Sequence, residues 1–178
     1  MDNLPASLNL PLANVWLVGS RMYGLHNEDS DYDYTGVYFD LAEFCDPLVD
    51  REKTKTWDNN NLTLHSFAKF ARLLVKGNPN MIDLVFHSPV RSCEVGRKFV
   101  EVVKPHVITQ NVASAYMGYL NEQKRRGFKP STPQNPQRKA QLEELGYDAK
   151  YLMHFLRLNY MLQDVLLTKT YGVLDEAR

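Results

Sequence analysis

Cysteine is almost missing from this chain: there are two in 178 residues, Cys45 and Cys93. They stand far apart with no Cys-x-x-Cys spacing. That argues against a disulfide framework or a cysteine zinc site and reads as unpaired thiols in a reducing compartment. There is no surplus of either charge, because 21 basic side chains face 21 acidic ones and the formal net charge is zero. Domains that wrap long stretches of duplex usually carry a basic excess, so that class is disfavoured; contact with one RNA end or with a small substrate stays open. No apolar run approaches the roughly 18 residues of a membrane helix. The opening residues Met1 to Pro5 lack the basic and apolar regions of a signal peptide. The reading is a soluble, cytoplasmic protein with no membrane partner.

What is present is enough apolar residue, 44%, to bury a sizeable core in one domain or in a core with a helical appendage. Asn14 to Val18 (NVWLV) is a β-rich run that ends at Gly19-Ser20, so it reads as a buried strand feeding a helix. Asp31 to Phe39 (DYDYTGVYF) is aromatic and β-branched, and as a strand it sets Asp31 and Asp33 on one face. A loop is expected through about Asp58. Asn61 to Ser66 alternates again, with Leu62 and Leu64 opposite Asn61, Thr63 and His65.

From Phe67 the spacing turns helical, with Phe67, Phe70, Leu73 and Leu74 repeating and Gly77 as a stop. Asn78-Pro79 opens a short helix over Met81 to Phe86. Further helices are expected over about Cys93 to Val103, Thr109 to Arg126 and Asp148 to Leu167. The proline-rich stretch Lys129 to Gln137 reads as a loop. The expected fold class is therefore α/β (α+β): a small α/β core over residues 1–90, whose sheet the resemblance given below implies is mixed, followed by a helical region over 91–178.

Gly19-Ser20-Arg21-Met22-Tyr23-Gly24 and Asp29-Ser30-Asp31-Tyr32-Asp33 carry the chemistry as one unit. Glycine at a strand-to-helix turn lets a phosphate approach the backbone, the helix start offers unpaired N–H groups, and serine adds a hydroxyl donor. Two carboxylates on one strand face then hold Mg²⁺, or Mn²⁺, against that phosphate through oxygen ligands. Gly-Ser alone and Asp-x-Asp alone are common and uninformative. Together, on strand, turn and strand, they form a specific signal.

The stretch GSRMYGLHNEDSDYDYTGVY resembles the signature of the DNA polymerase β-like nucleotidyltransferase superfamily. Within it the chain resembles the YcgL/RlaP-like, RNA-ligase-associated group and its phage relatives. Lys69-Phe70 with Gly77-Asn78-Pro79-Asn80, and Gly146-Tyr147-Asp148-Ala149-Lys150 with Met153-His154 and Arg157-Leu158, resemble later stretches of that group. The resemblance implies transfer of a nucleoside monophosphate from an NTP to an acceptor hydroxyl, an RNA 3′ end being the acceptor the group's association suggests. A protein or tRNA acceptor, as in nucleotidyltransferase toxins, is the related alternative. It implies that Gly19 and Ser20 hold the triphosphate and that Asp31 and Asp33 bind the metal ions. Arg21 is either a phosphate contact or a surface arginine. The group's phage members would place such a chain in a host cytoplasm.

One position departs from the superfamily pattern. The third carboxylate, which completes the metal site and serves as base, falls at Asn61, and asparagine cannot accept a proton at neutral pH. Asp58 is the nearest substitute. A catalytically degenerate nucleotide- or RNA-binding module is accordingly the rival reading. Lys150, His154 and Arg157, spaced i, i+4 and i+7, share one helix face. That stripe is either a nucleotide-facing set, as the resemblance implies, or a solvated face opposite Leu152, Phe155 and Leu156. Lys124-Arg125-Arg126 with Lys129, followed by Arg138-Lys139, is either an RNA-backbone contact or a set of helix-terminal cations.

Overall fold

A computed structural model of the chain describes residues 10–28, 30–40, 54–57, 62–129 and 136–168. The β-branched and aromatic runs form strands β1 (Leu12–Val18), β2 (Asp33–Tyr38), β3 (Thr54–Trp57), β4 (Leu62–Ser66) and β5 (Arg91–Ser92). They make one mixed sheet in the order β3-β4-β2-β1-β5. β1 runs antiparallel to β2, with Val18 opposite Asp33 and Trp16 opposite Thr35. β4 joins β2 in parallel, pairing Tyr34 with Leu62, Thr35 with Thr63 and Val37 with His65. β3 and β5 close the two edges in antiparallel pairing.

The helices are α1 (Phe67–Val75), α2 (Pro79–Phe86), α3 (Glu94–Val103), α4 (Gln110–Phe128), α5 (Pro136–Leu145) and α6 (Ala149–Thr168). Side chains start two of those in the sheet-bearing part. Ser66 Oγ accepts from Lys69 N at 3.4 Å at α1, and Cys93, a free thiol, accepts from Gly96 N at α3. The chain divides into two compact units, residues 1–76 with 80–107 and 173–178, and residues 77–79 with 108–172. The boundary expected near residue 90 falls inside the first unit. There α3 is tied to β1, because Asn14 Nδ2 donates to Gly96 O at 3.0 Å and Cys93 N donates to Ala13 O at 2.8 Å.

Pleating gives the first unit two buried layers. Val15, Tyr38, Leu62 and Leu64 form a cluster on one face, joined by Leu10, Leu12 and Tyr34. On the other face Trp16 is fully buried, with its ring centroid 5.9 Å from that of Phe70 on α1. Phe67 links Phe39 at 5.2 Å to Phe99 at 4.6 Å, so aromatic contacts connect α1 and α3. In the second unit Val112, Tyr116 and Leu120 of α4 and Leu158, Met161, Leu162 and Val165 of α6 supply the buried apolar residues.

Three expectations needed correction. β3 forms within the stretch read as loop, where Thr54-Lys55-Thr56-Trp57 alternates β-branched and charged residues. α5 forms over residues that had no assignment beyond a proline-rich loop; its sequence PQRKAQLEEL has no sustained apolar stripe to announce it. The Gly-Ser turn leads into a 3-10 helix of only five residues, Gly19–Tyr23, which ends at Gly24 in the left-handed conformation.

Candidate active site

The geometry of the turn is built around Gly19. Its φ of 71° lies in the left-handed region, where a side chain is strained and glycine is not. Because Val18 pairs with Asp33, the turn directly after β1 lies beside the first residue of β2. A Cβ added at Gly19 would stand 3.0 Å from Asp33 Oδ2. The half-buried Asp33 carboxylate therefore occupies the space that any side chain at residue 19 would need.

Asp31 lies two residues earlier, exposed and ahead of the strand. Its backbone is held by Arg21. The guanidinium donates to Ser30 O at 2.7 and 3.2 Å and to Asp31 O at 3.2 Å, while its carbon sits 3.6 Å from the Tyr32 ring centroid. A tight turn supports the same loop, with Ser30 Oγ accepting from Asn27 N and donating to Asn27 Oδ1. Tyr23 fastens the other side of the turn. Its hydroxyl donates to the buried Asp83 carboxylate on α2, and its ring meets His87 edge-on at 5.7 Å. The Arg21 guanidinium thus holds the acidic loop.

Alternation on β2 and β4 puts Thr35, Thr63 and His65 on the same face as Asp33. Burial first, and then Lys69, lower the His65 pKa, which favours the neutral imidazole. Asn61 and Asp58 lie outside the described residues. Among the described residues no group of three acidic, histidine or cysteine side chains is close enough to hold a metal ion. Asp31 and Asp33 nonetheless suit a hard cation that takes its remaining ligands from phosphate and water.

Lys150, His154 and Arg157 belong to the second unit, apart from this turn in the division of the chain. Along α6 Lys150 is exposed, His154 half-buried and Arg157 buried, while Leu156 is exposed. The stripe is therefore not a solvated face. Burial, followed by Arg157, Lys150 and Arg138, lowers the His154 pKa to about 4. Asp148 caps α6, accepting from Lys150 N at 3.1 Å and Tyr151 N at 3.4 Å, and it is salt-bridged to Arg138 at 2.8 Å. The sequence reading had not singled out this Arg138–Asp148 pair. The aspartate at the foot of a helix was a signal for it.

A mixed sheet with a glycine turn against an acidic strand is of the nucleotidyltransferase-like class. The chain belongs to the RNA repair pathway DNA polymerase beta family, whose profile matches residues 5–173. Among solved structures it is similar to a nucleotidyltransferase-like protein from Exiguobacterium sibiricum 255-15, with 14% identity and a TM-score of 0.33. That match covers 92% of this chain and 55% of the other, so the chain spans about half of that protein's length. No curated protein matches the chain. No helix among the described residues is long and apolar enough to cross a membrane.

Proposed function

We propose that the chain transfers a nucleoside monophosphate from an NTP to the terminal hydroxyl of an RNA. The hydroxyl oxygen bonds to the α-phosphorus, the bond from that phosphorus to the β-phosphate bridging oxygen breaks, pyrophosphate leaves, and the hydroxyl proton passes to solvent or a base. The observation that carries the reading is the contact between the left-handed Gly19 turn and the Asp33 carboxylate. It puts a backbone that a phosphate can approach next to an oxygen ligand for its counter-cation. Gly19 and Ser20 cradle the triphosphate, Asp31 and Asp33 hold Mg²⁺ or Mn²⁺, and Arg21 positions Asp31 through its loop. The bound cation supplies charge neutralisation on the transferring phosphate. Lys150, His154 and Arg157, on the second unit, are the further nucleotide contacts that the family resemblance implies.

Asn61 supports a second reading, a module that binds nucleotide without turnover. One experiment separates the readings: labelled NTPs with Mg²⁺ or Mn²⁺ and pooled RNA and protein acceptors, for wild type, Asp31→Asn/Asp33→Asn and Asn61→Asp. Metal-dependent labelling of RNA that disappears in the double variant is the expected result. Labelling of protein would replace the acceptor. NTP binding without labelling, unrestored by Asn61→Asp, would establish the degenerate module.

A further inference from the structure

The zero net charge of the chain conceals a division. The first unit carries twelve basic and sixteen acidic residues, and the second carries nine and five, a net charge of −4 against +4. Two arginines of the second unit come together where three helices meet. Asp148 N donates to Gly127 O at 2.9 Å, which joins the start of α6 to the end of α4. At this junction the Arg126 guanidinium carbon stands 5.6 Å from the Tyr151 ring centroid, and that of Arg138, from α5, stands 4.7 Å from it.

Both arginines are held in place. Arg138 Nε donates to both oxygens of the buried Asp148, at 2.9 and 3.2 Å, and Arg126 Nε donates to Glu122 at 2.6 Å. Glu122 is shared by Arg125 and Arg126, while Arg138 pairs with Asp148. Hydrogen bonding, first to Arg126 and then to Arg138, lowers the Tyr151 pKa. Two exposed aromatic residues adjoin, along the chain, the Gly127–Asp148 hydrogen bond. Phe128 is 60% exposed one residue beyond Gly127, and Tyr147 is 37% exposed one residue before Asp148.

We propose that this junction binds single-stranded RNA, with Arg126 and Arg138 clamping a backbone phosphate and Phe128 and Tyr147 stacking bases. It deepens the proposed function, on which the choice of RNA rests, by giving the acceptor strand a surface of its own. Planar guanidinium forks fit phosphate oxygens, and a basic surface interleaved with exposed aromatic rings fits unpaired bases rather than a duplex or an isolated triphosphate.

The test is the affinity of the whole chain for a fluorescein-labelled mixed-sequence RNA 12-mer, single-stranded or duplex, across a salt series. Wild type should prefer the single strand. Arg126→Gln should weaken binding about five- to tenfold and reduce the log–log salt slope by about 0.7, one phosphate contact on a single strand. Phe128→Ala should weaken binding at least about fivefold with the slope unchanged. Arg125→Gln removes the same charge and an ion pair to the same Glu122, and should stay within about twofold of wild type. No RNA binding by wild type, equal effects of Arg125→Gln and Arg126→Gln, or wild-type affinity in Phe128→Ala would each overturn the proposal. Asp31→Asn/Asp33→Asn should bind RNA as wild type does while transferring nothing. RNA bound at the junction by a wild type that transfers nothing leaves this proposal standing and removes the catalytic one. Transfer to RNA with unaltered binding by Arg126→Gln and Phe128→Ala does the reverse.

Discussion

Replacing Gly19 with alanine tests the contact on which the functional reading stands. Two effects are expected. The left-handed backbone, φ 71°, is disfavoured for alanine by about 1–2 kcal/mol, which in a chain of this size lowers Tm by roughly 3–6 °C. The new Cβ also stands 3.0 Å from Asp33 Oδ2, so the carboxylate must move by a few tenths of an ångström. Since misplacement by about 1 Å can reduce a positioned reaction about a hundredfold, roughly a tenfold loss of transfer per folded molecule is expected. Gly146 separates the two effects. Its φ is 72°, and a Cβ there meets nothing within 4 Å, so Gly146→Ala incurs the backbone strain alone. Differential scanning calorimetry, Mn²⁺ titration and initial transfer rates should show equal thermal losses, with weaker metal binding and slower transfer only in Gly19→Ala. Wild-type metal affinity and rate in Gly19→Ala, beside a normal thermal loss, would refute the role given to the contact.

Three further outcomes follow from the geometry. Arg21→Ala removes the donors to Ser30 O and Asp31 O, and should raise the Mg²⁺ needed for half-maximal transfer about tenfold with little change in Tm. Arg21→Lys should fail to rescue it, because an ammonium cannot span both carbonyls while stacking on Tyr32. Lowered to about 4 in the folded chain, the His154 pKa makes the unfolded state bind the extra proton first. Stability is thus full above about pH 6.5 and falls by roughly 2 kcal/mol toward pH 4 after allowance for partial exposure. Urea titrations should show this slope, and His154→Gln should flatten it. Gly96→Ala places a Cβ 2.4 Å from Ala13 O and should destabilise by about 2–3 kcal/mol. Gly118→Ala meets nothing within 4 Å in mid-helix and should raise stability by about 0.5–1 kcal/mol, both read from thermal melts.

What the sequence determined by itself was local. The apolar run Asn14–Val18, the alternation over Asn61–Ser66, the helical spacing of Phe67, Phe70, Leu73 and Leu74, and Gly77 and Asn78-Pro79 as punctuation set β1, β4, α1 and α2 to within two residues. The Gly-Ser and Asp-x-Asp motifs identified the turn because strand pairing keeps close residues close, and Val18 lies opposite Asp33. α5 escaped detection because its stability does not come from an apolar stripe, and β3 because four residues make too short a pattern beside a charged loop. Tertiary structure alone decided which partners distant residues met. The spacing of Lys150, His154 and Arg157 fitted a solvated face as well as a functional one, and only packing turned Arg157 inward and left Leu156 in water. Arg126, Arg138 and Tyr151 come from three helices, so no local periodicity joins them.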